Sequence, residues 1–131
     1  MHIDLLVTWP KTKPLSSYLE TLMWAEMGGD TINYRVSRLP TKQADRCYVV
    51  YDGAIVGWSQ VVGYSVRKDN EVWDYDRQSY WVMGNYIVRE PKWFPVEKPV
   101  AYKSFQGWRY FDRNTLLVVN TVSHETKEGC V

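Results

Sequence analysis

The chain has 131 residues, 45% of them hydrophobic and 24% charged, with a formal net charge of +1. That length suits one core, the composition excludes a disordered segment, and a charge so close to neutral excludes a protein that coats duplexes by bulk electrostatics. No apolar stretch reaches the ~18–20 residues a spanning helix needs, and residues 1–7 carry neither a basic leader nor a small-residue cleavage site, so a cytoplasmic protein without a membrane partner is expected.

Ile3-Asp4-Leu5-Leu6-Val7-Thr8-Trp9 reads as a short buried strand closed by Pro10. After the loop Lys11-Thr12-Lys13-Pro14, Ser16 or Ser17 is placed to cap a helix with Tyr18, Leu19, Leu22, Met23 and Met27 as its apolar positions. Gly28-Gly29 stops it. From there the period becomes strand-like. Thr31 to Val36 alternates, and Asp45 to Tyr51 is rich in valine and tyrosine. Asp52-Gly53 is a hairpin signal joining that run to Ala54 through Tyr64. Residues 67–77 are polar, with a turn at Asp69-Asn70, and Tyr80 to Val88 forms a further strand. Pro91, Pro95 and Pro99 mark an extended segment that is neither helix interior nor central strand. Phe105 to Phe111 is an aromatic turn or short strand, and Thr115 to Val122 a last strand. The expectation is an α+β domain over residues 1–123, a small, partly closed, mostly antiparallel β-barrel of five to six strands with one helix after the first strand, followed by a polar tail at 124–131.

Seven tryptophans stand out, and Trp9, Trp58, Trp73, Trp81, Trp93 and Trp108 all have polar or basic neighbours within two residues. An indole beside a cation can stack a nucleobase and neutralise its phosphate. The same rings also suit the core of a small β-rich domain, where large aromatics bury much area. Cys47 sits in an apolar run and Cys130 is penultimate, which reads as two reduced, unrelated thiols. His2 and His124 lie near opposite ends without ligand spacing, so neither a metal nor another cofactor is expected.

Several stretches resemble the PUA-like superfamily, and within it the EVE and ASCH domains. These are Thr8-Trp9-Pro10 before the helix, Asn33 and Arg35 on the following strand, Ala44-Asp45-Arg46-Cys47-Tyr48, the return Ile55-Val56-Gly57, and more loosely residues 105–110. The chain departs from these families at Trp9, where EVE domains carry Glu, at Ala44 in place of glycine, and in lacking the ASCH spacing of Gly, Lys, Glu and Arg. The resemblance implies a PUA-like barrel that recognises modified or flipped-out bases in RNA or DNA, with hydrolases among the ASCH members.

The candidate ligand-binding residues follow. Thr8 and Trp9 leave the first strand with a hydroxyl and a ring, and Lys11 and Lys13 follow as point charges for phosphate. Asn33 and Arg35 share a strand face, suited to a base edge and a phosphate respectively. Gly57 permits close backbone approach beside Trp58 and Ser59, while Trp108 and Arg109 offer another stacking surface. Each has a plain counterpart in core packing or a solvated strand face. Trp81, inside an apolar strand, reads as core.

The leading expectation is a noncatalytic nucleic-acid-binding domain that holds a single base, modified or not, between aromatic walls. A small amidohydrolase of modified nucleosides would use Lys11 and Thr12 with Glu71 or Glu90, but adjacent residues on a loop or strand point apart. The remaining alternative is a protein-interaction module, because Trp, Tyr and Arg also dominate interface hot spots.

Overall fold

The computed structural model describes residues 2–68, 73–74, 79–80 and 83–116. Its elements in chain order are β1 (Asp4–Trp9), α1 (Leu15–Gly28), β2 (Ile32–Val36), β3 (Arg46–Tyr51), β4 (Ala54–Arg67), β5 (Trp73–Asp74), β6 (Ser79–Tyr80), β7 (Gly84–Arg89), β8 (Phe94–Ala101) and β9 (Trp108–Phe111). The 14-residue β4 is the spine. Its first half pairs antiparallel with β3 through Asp52-Gly53, whose φ angles of 49° and 79° are both positive, as a two-residue hairpin turn of matching twist requires. The opposite edge of β4 carries β8 beside residues 54–58 and β7 beside residues 61–67. Seen from β4, these two are one strand interrupted at residues 90–93. Proline explains both the interruption at Pro91 and the edge position of β8, which contains Pro95 and Pro99.

The main sheet runs β2-β7-β4-β3-β1-β9, with β8 on β4, and β5 and β6 form a separate two-stranded pair. It is mixed, because β1 and β3 run parallel with α1 and β2 in the crossover. The sheet is not closed: β2 and β9 are its edges. The expected closure is therefore not made by backbone pairing, since β9 takes the free side of β1 and β2 has no second partner among the described strands. Instead α1 packs Tyr18 and Leu22 into the cluster formed by one sheet face, with Leu5, Val7, Cys47, Val49, Val61 and Ile87. Leu6, Tyr48, Val50 and Ile55 point the other way and pack with Leu116, Trp58 and Phe111. Strands β1 and β3 are thus buried on both faces, which is why their sequences read as continuous apolar runs.

Three local expectations are corrected. The N-cap of α1 is Pro14, without a side-chain cap, and Ser16 and Ser17 lie inside the first turn; the C-cap Gly29 is left-handed as expected. Met23 and Met27 are 49% and 72% exposed, because the buried stripe follows Tyr18, Leu22 and Ala25 and each methionine falls well around the helix from it. Thr115 and Leu116 belong to the start of a second helix, opened by Asn114 N–H donating to Asp112 Oδ1 at 2.9 Å. The rest of that expected strand, the Asp69-Asn70 turn, and the Trp81 side chain lie outside the described residues.

One ion cluster ties the first strand to the last described segment. Asp4, with no exposed surface, accepts from Arg113 Nε at 3.0 Å and Nη2 at 2.7 Å and from the Arg46 backbone N–H at 3.0 Å. Arg113 Nη2 also pairs with Asp45. The Gln60 amide and then Arg113 hold the Asp45 carboxyl below its ordinary value. A depressed carboxylate stabilises the fold above its unfolded value of 3.8, and that contribution disappears as pH falls through the lower folded value. Arg113→Met should cost about 3 kcal/mol at pH 7, since it strands a buried carboxylate. Urea unfolding from pH 7 to below pH 4 should show wild type losing stability on acidification, and the variant losing less.

Candidate functional site

A cavity of about 530 Å³ opens where β1 runs out, bounded by the loop to α1, the first turns of α1 and β2, with Val49 of β3 and Arg89 of β7 at its back. Its rim is set by proline geometry. Pro10 ends β1, Lys13 N–H closes a turn onto Pro10 O at 3.1 Å, and Pro14 begins the helix. Trp9 braces this loop: its indole N–H donates to Pro14 O at 3.4 Å, its ring lies 5.0 Å from that of Tyr18, and Lys13 Nζ sits 5.7 Å from its centroid. The Tyr51 hydroxyl donates to Lys13 O at 3.1 Å and fixes the same turn.

Across the gap in the sheet, β2 faces β1 through side chains. Alternation turns Tyr34 toward the core cluster, where its hydroxyl donates to Thr8 O at 3.3 Å. Asn33 is half-buried on the cavity wall, and the exposed Arg35 is steadied by donating to Met83 O at 2.9 Å.

At the back lies Arg89, the last residue of β7, only 2% exposed. Its Nη1 donates to the Tyr18 hydroxyl, and its guanidinium carbon lies 5.7 Å and 5.8 Å from the Tyr18 and Tyr34 ring centroids. Its Nε has no hydrogen-bond partner, and no ion pair reaches it among the described residues. Burial pushes the Tyr18 and Tyr34 phenols up in pKa, and the opposing pull of Arg89 does not reverse this, so both stay neutral. Burial likewise pushes the Cys47 thiol up. Arg89 itself, although buried, stays cationic, as a guanidinium does in a protein. The fold therefore keeps a buried positive charge among neutral groups, which is costly unless something neutralises it. None of the described cavity-lining residues carries a carboxylate, while Lys13, Arg35 and Arg89 are all cationic.

The support behind Arg89 runs through a close approach of backbone and ring. A Cβ on Gly57 would lie 2.2 Å from the Trp93 ring, so the bare glycine is what lets that indole lie on β4. Trp93 in turn meets the Tyr18 ring edge-on at 5.6 Å.

Of the sequence-derived candidates, Thr8, Trp9, Asn33 and Arg35 come together on this cavity. Lys11 is exposed on the same loop without lining it, and its neighbour Lys13 takes that place. The others stand elsewhere. Trp58 belongs to the opposite face of the sheet, stacked on Phe94 at 4.3 Å with the Arg46 guanidinium 3.9 Å from its centroid. Ser59 is fully buried, its hydroxyl without a partner among the described residues. Trp108 is buried with its indole N–H donating to Arg38 O at 2.8 Å, and Arg109 is exposed over Phe105 at 4.3 Å. Tyr18, Tyr34 and Arg89 were missing from the candidates: in the sequence two of them are ordinary apolar-face positions and the third is a polar strand end before Pro91. Among the described residues no three His, Cys, Asp or Glu side chains gather in a way that could hold a metal ion. Compared with protein-family models, with curated proteins and with solved structures, the chain finds no match.

If Arg89 serves a ligand rather than the fold, an apolar replacement is tolerated. The double variant Arg89→Met/Tyr18→Phe removes both partners of the buried hydrogen bond and should unfold within about 1 kcal/mol of wild type in urea. A loss of several kcal/mol would instead make the pair a structural cross-link. Tyr18→Phe alone, which leaves a guanidinium N–H unpaired, should cost about 1–3 kcal/mol.

Proposed function

We propose that this chain is a noncatalytic nucleic-acid-binding domain that takes a single base of RNA or DNA, modified or not, into the cavity between β1, α1 and β2, in a PUA-like arrangement. The observation that carries the reading is the composition of the wall among the described residues: aromatic rings and three cations, one of them buried without a described counter-ion, and no carboxylate. Such a wall attracts a planar ligand that brings negative charge. A volume of about 530 Å³ falls within the range of small-molecule sites. Trp9 supplies the stacking face, Thr8 and Asn33 the edge contacts, and Lys13 and Arg35 the phosphate contacts at the mouth.

The net charge of +1 agrees with this, because attraction is then local to the mouth. Trp58, Ser59, Trp108 and Arg109 have no part in this site. The resemblance to PUA-like, EVE and ASCH domains supports the same region, since it rests partly on the turn at Trp9-Pro10 and on Asn33 and Arg35. The hydrolase alternative gains nothing comparable: Lys11, Thr12 and Glu90 are exposed, only Lys11 and Thr12 share a loop, and Glu71 lies outside the described residues.

Fluorescence anisotropy with single-stranded RNA and DNA oligonucleotides tests the assignment. Trp9→Ala should weaken binding by about 1–3 kcal/mol, while Trp58→Ala should leave it unchanged. Two phosphate contacts predict a log–log salt slope of about −1.4 for single strands. A slope steeper than about −4 would indicate a broad basic footprint and overturn the pocket as the source of affinity.

A further inference from the structure

We infer that the base accepted by this cavity is a 6-oxopurine, guanine among the common bases, and that Arg89 is the residue that selects it. The inference rests on the nucleic-acid reading above and specifies its ligand. A guanidinium has five N–H donors and no acceptor. At Arg89 one donor is held by the Tyr18 hydroxyl, the Cys47 thiol lies within hydrogen-bonding reach, the Nε–H is buried and unpaired, and no described residue supplies a carboxylate. The back of the cavity is therefore a fixed donor surface, desolvated, with its orientation set by Tyr18 and, behind it, Trp93.

A base entering edge-first must turn acceptors toward that surface. Guanine carries O6 and N7 side by side, the pair a guanidinium fork fits. Adenine sets an amino donor beside N7, so its N6 group would face Arg89 donor to donor and leave both unsatisfied inside a dry site. Hypoxanthine keeps O6 and N7 and lacks only the exocyclic 2-amino group, so it belongs to the same class. Cytosine also has neighbouring acceptors, O2 and N3, but on a single ring that fills less of a cavity of about 530 Å³. The cations at the mouth play no part in this choice, because phosphates are the same for every base.

The test uses the full chain and short oligonucleotides identical except for one central position: guanine, hypoxanthine, 7-deazaguanine, adenine or cytosine in a thymine or uracil context. Guanine and hypoxanthine should bind about tenfold or more tighter than adenine, the range one good bidentate contact supplies. Replacing N7 by carbon should remove most of that advantage without changing shape. Arg89→Lys keeps the charge but not the fork, so it should retain binding and lose the guanine preference, and Trp9→Ala should weaken all oligonucleotides alike. Should adenine or cytosine match guanine, or should the preference survive in Arg89→Lys, the inference falls while the pocket reading stands. If no oligonucleotide binds, both fall. The 7-deazaguanine comparison needs no variant, so misfolding of an Arg89 substitution does not blunt the test.

Discussion

A guanidinium held inside the protein against a phenol, with no carboxylate beside it among the described residues, is the constraint around which the rest of the cavity is arranged. Arg89 sits where four elements meet: β7 carries it, β2 and β4 pair with it through Ile32 and Val61, and α1 brings Tyr18 over it. Each neighbour is neutral, so the charge is screened by aromatic faces and a hydroxyl rather than cancelled. A purely structural arginine in that position would be expected to carry an acidic partner, as Arg113 does with Asp4 and Asp45 at the far end of β1. The contrast between these two arginines in one small fold is that Arg113 has two carboxylate partners while Arg89 has none among the described residues.

The long strand β4 explains how the same chain supports both. Its first half lies between β3 and β8, and its second half carries β7 along the edge β8 uses further on. The break between β7 and β8 at Pro91 falls directly after Arg89, and the residue that resumes contact, Trp93, lies over Gly57. The position of the guanidinium, the ring under Tyr18 and the missing side chain at Gly57 are thus consequences of one interruption in a strand. A methyl group at Gly57 would disturb all three.

Much of this was legible in the sequence because it is local. Asp52-Gly53 announces its turn by residue type, Gly29 ends the helix, and the prolines of residues 91–99 confine β8 to an edge. Thr8, Trp9, Asn33 and Arg35 were recognisable because the end of a strand and the alternation of the next put them near one another. What was not legible depends on contacts remote in sequence. Arg89 and Tyr18 are 71 residues apart, and nothing near either one announces the other. Gly57 did signal a close approach, but the group that approaches is Trp93 rather than a ligand, and this carried Trp58 and Ser59 into the candidate set. Trp108 and Arg109 have the same composition as a stacking site, yet a backbone carbonyl and a neighbouring ring already engage them. The open edge of the sheet was also out of reach, since it depends on β9 pairing with β1.

That open edge has a dynamic consequence. Where a closed barrel would lock β2 to β1 with a ladder of backbone hydrogen bonds, the phenol of Tyr34 donating to Thr8 O makes a direct polar link between these two strands. The amides of β2 that face away from β7 consequently have no described strand to shield them from solvent deuterium, whereas those of β3 and the first half of β4 are enclosed on both sides. A guest lodged between the two strands would register first as slowed isotope exchange along β2.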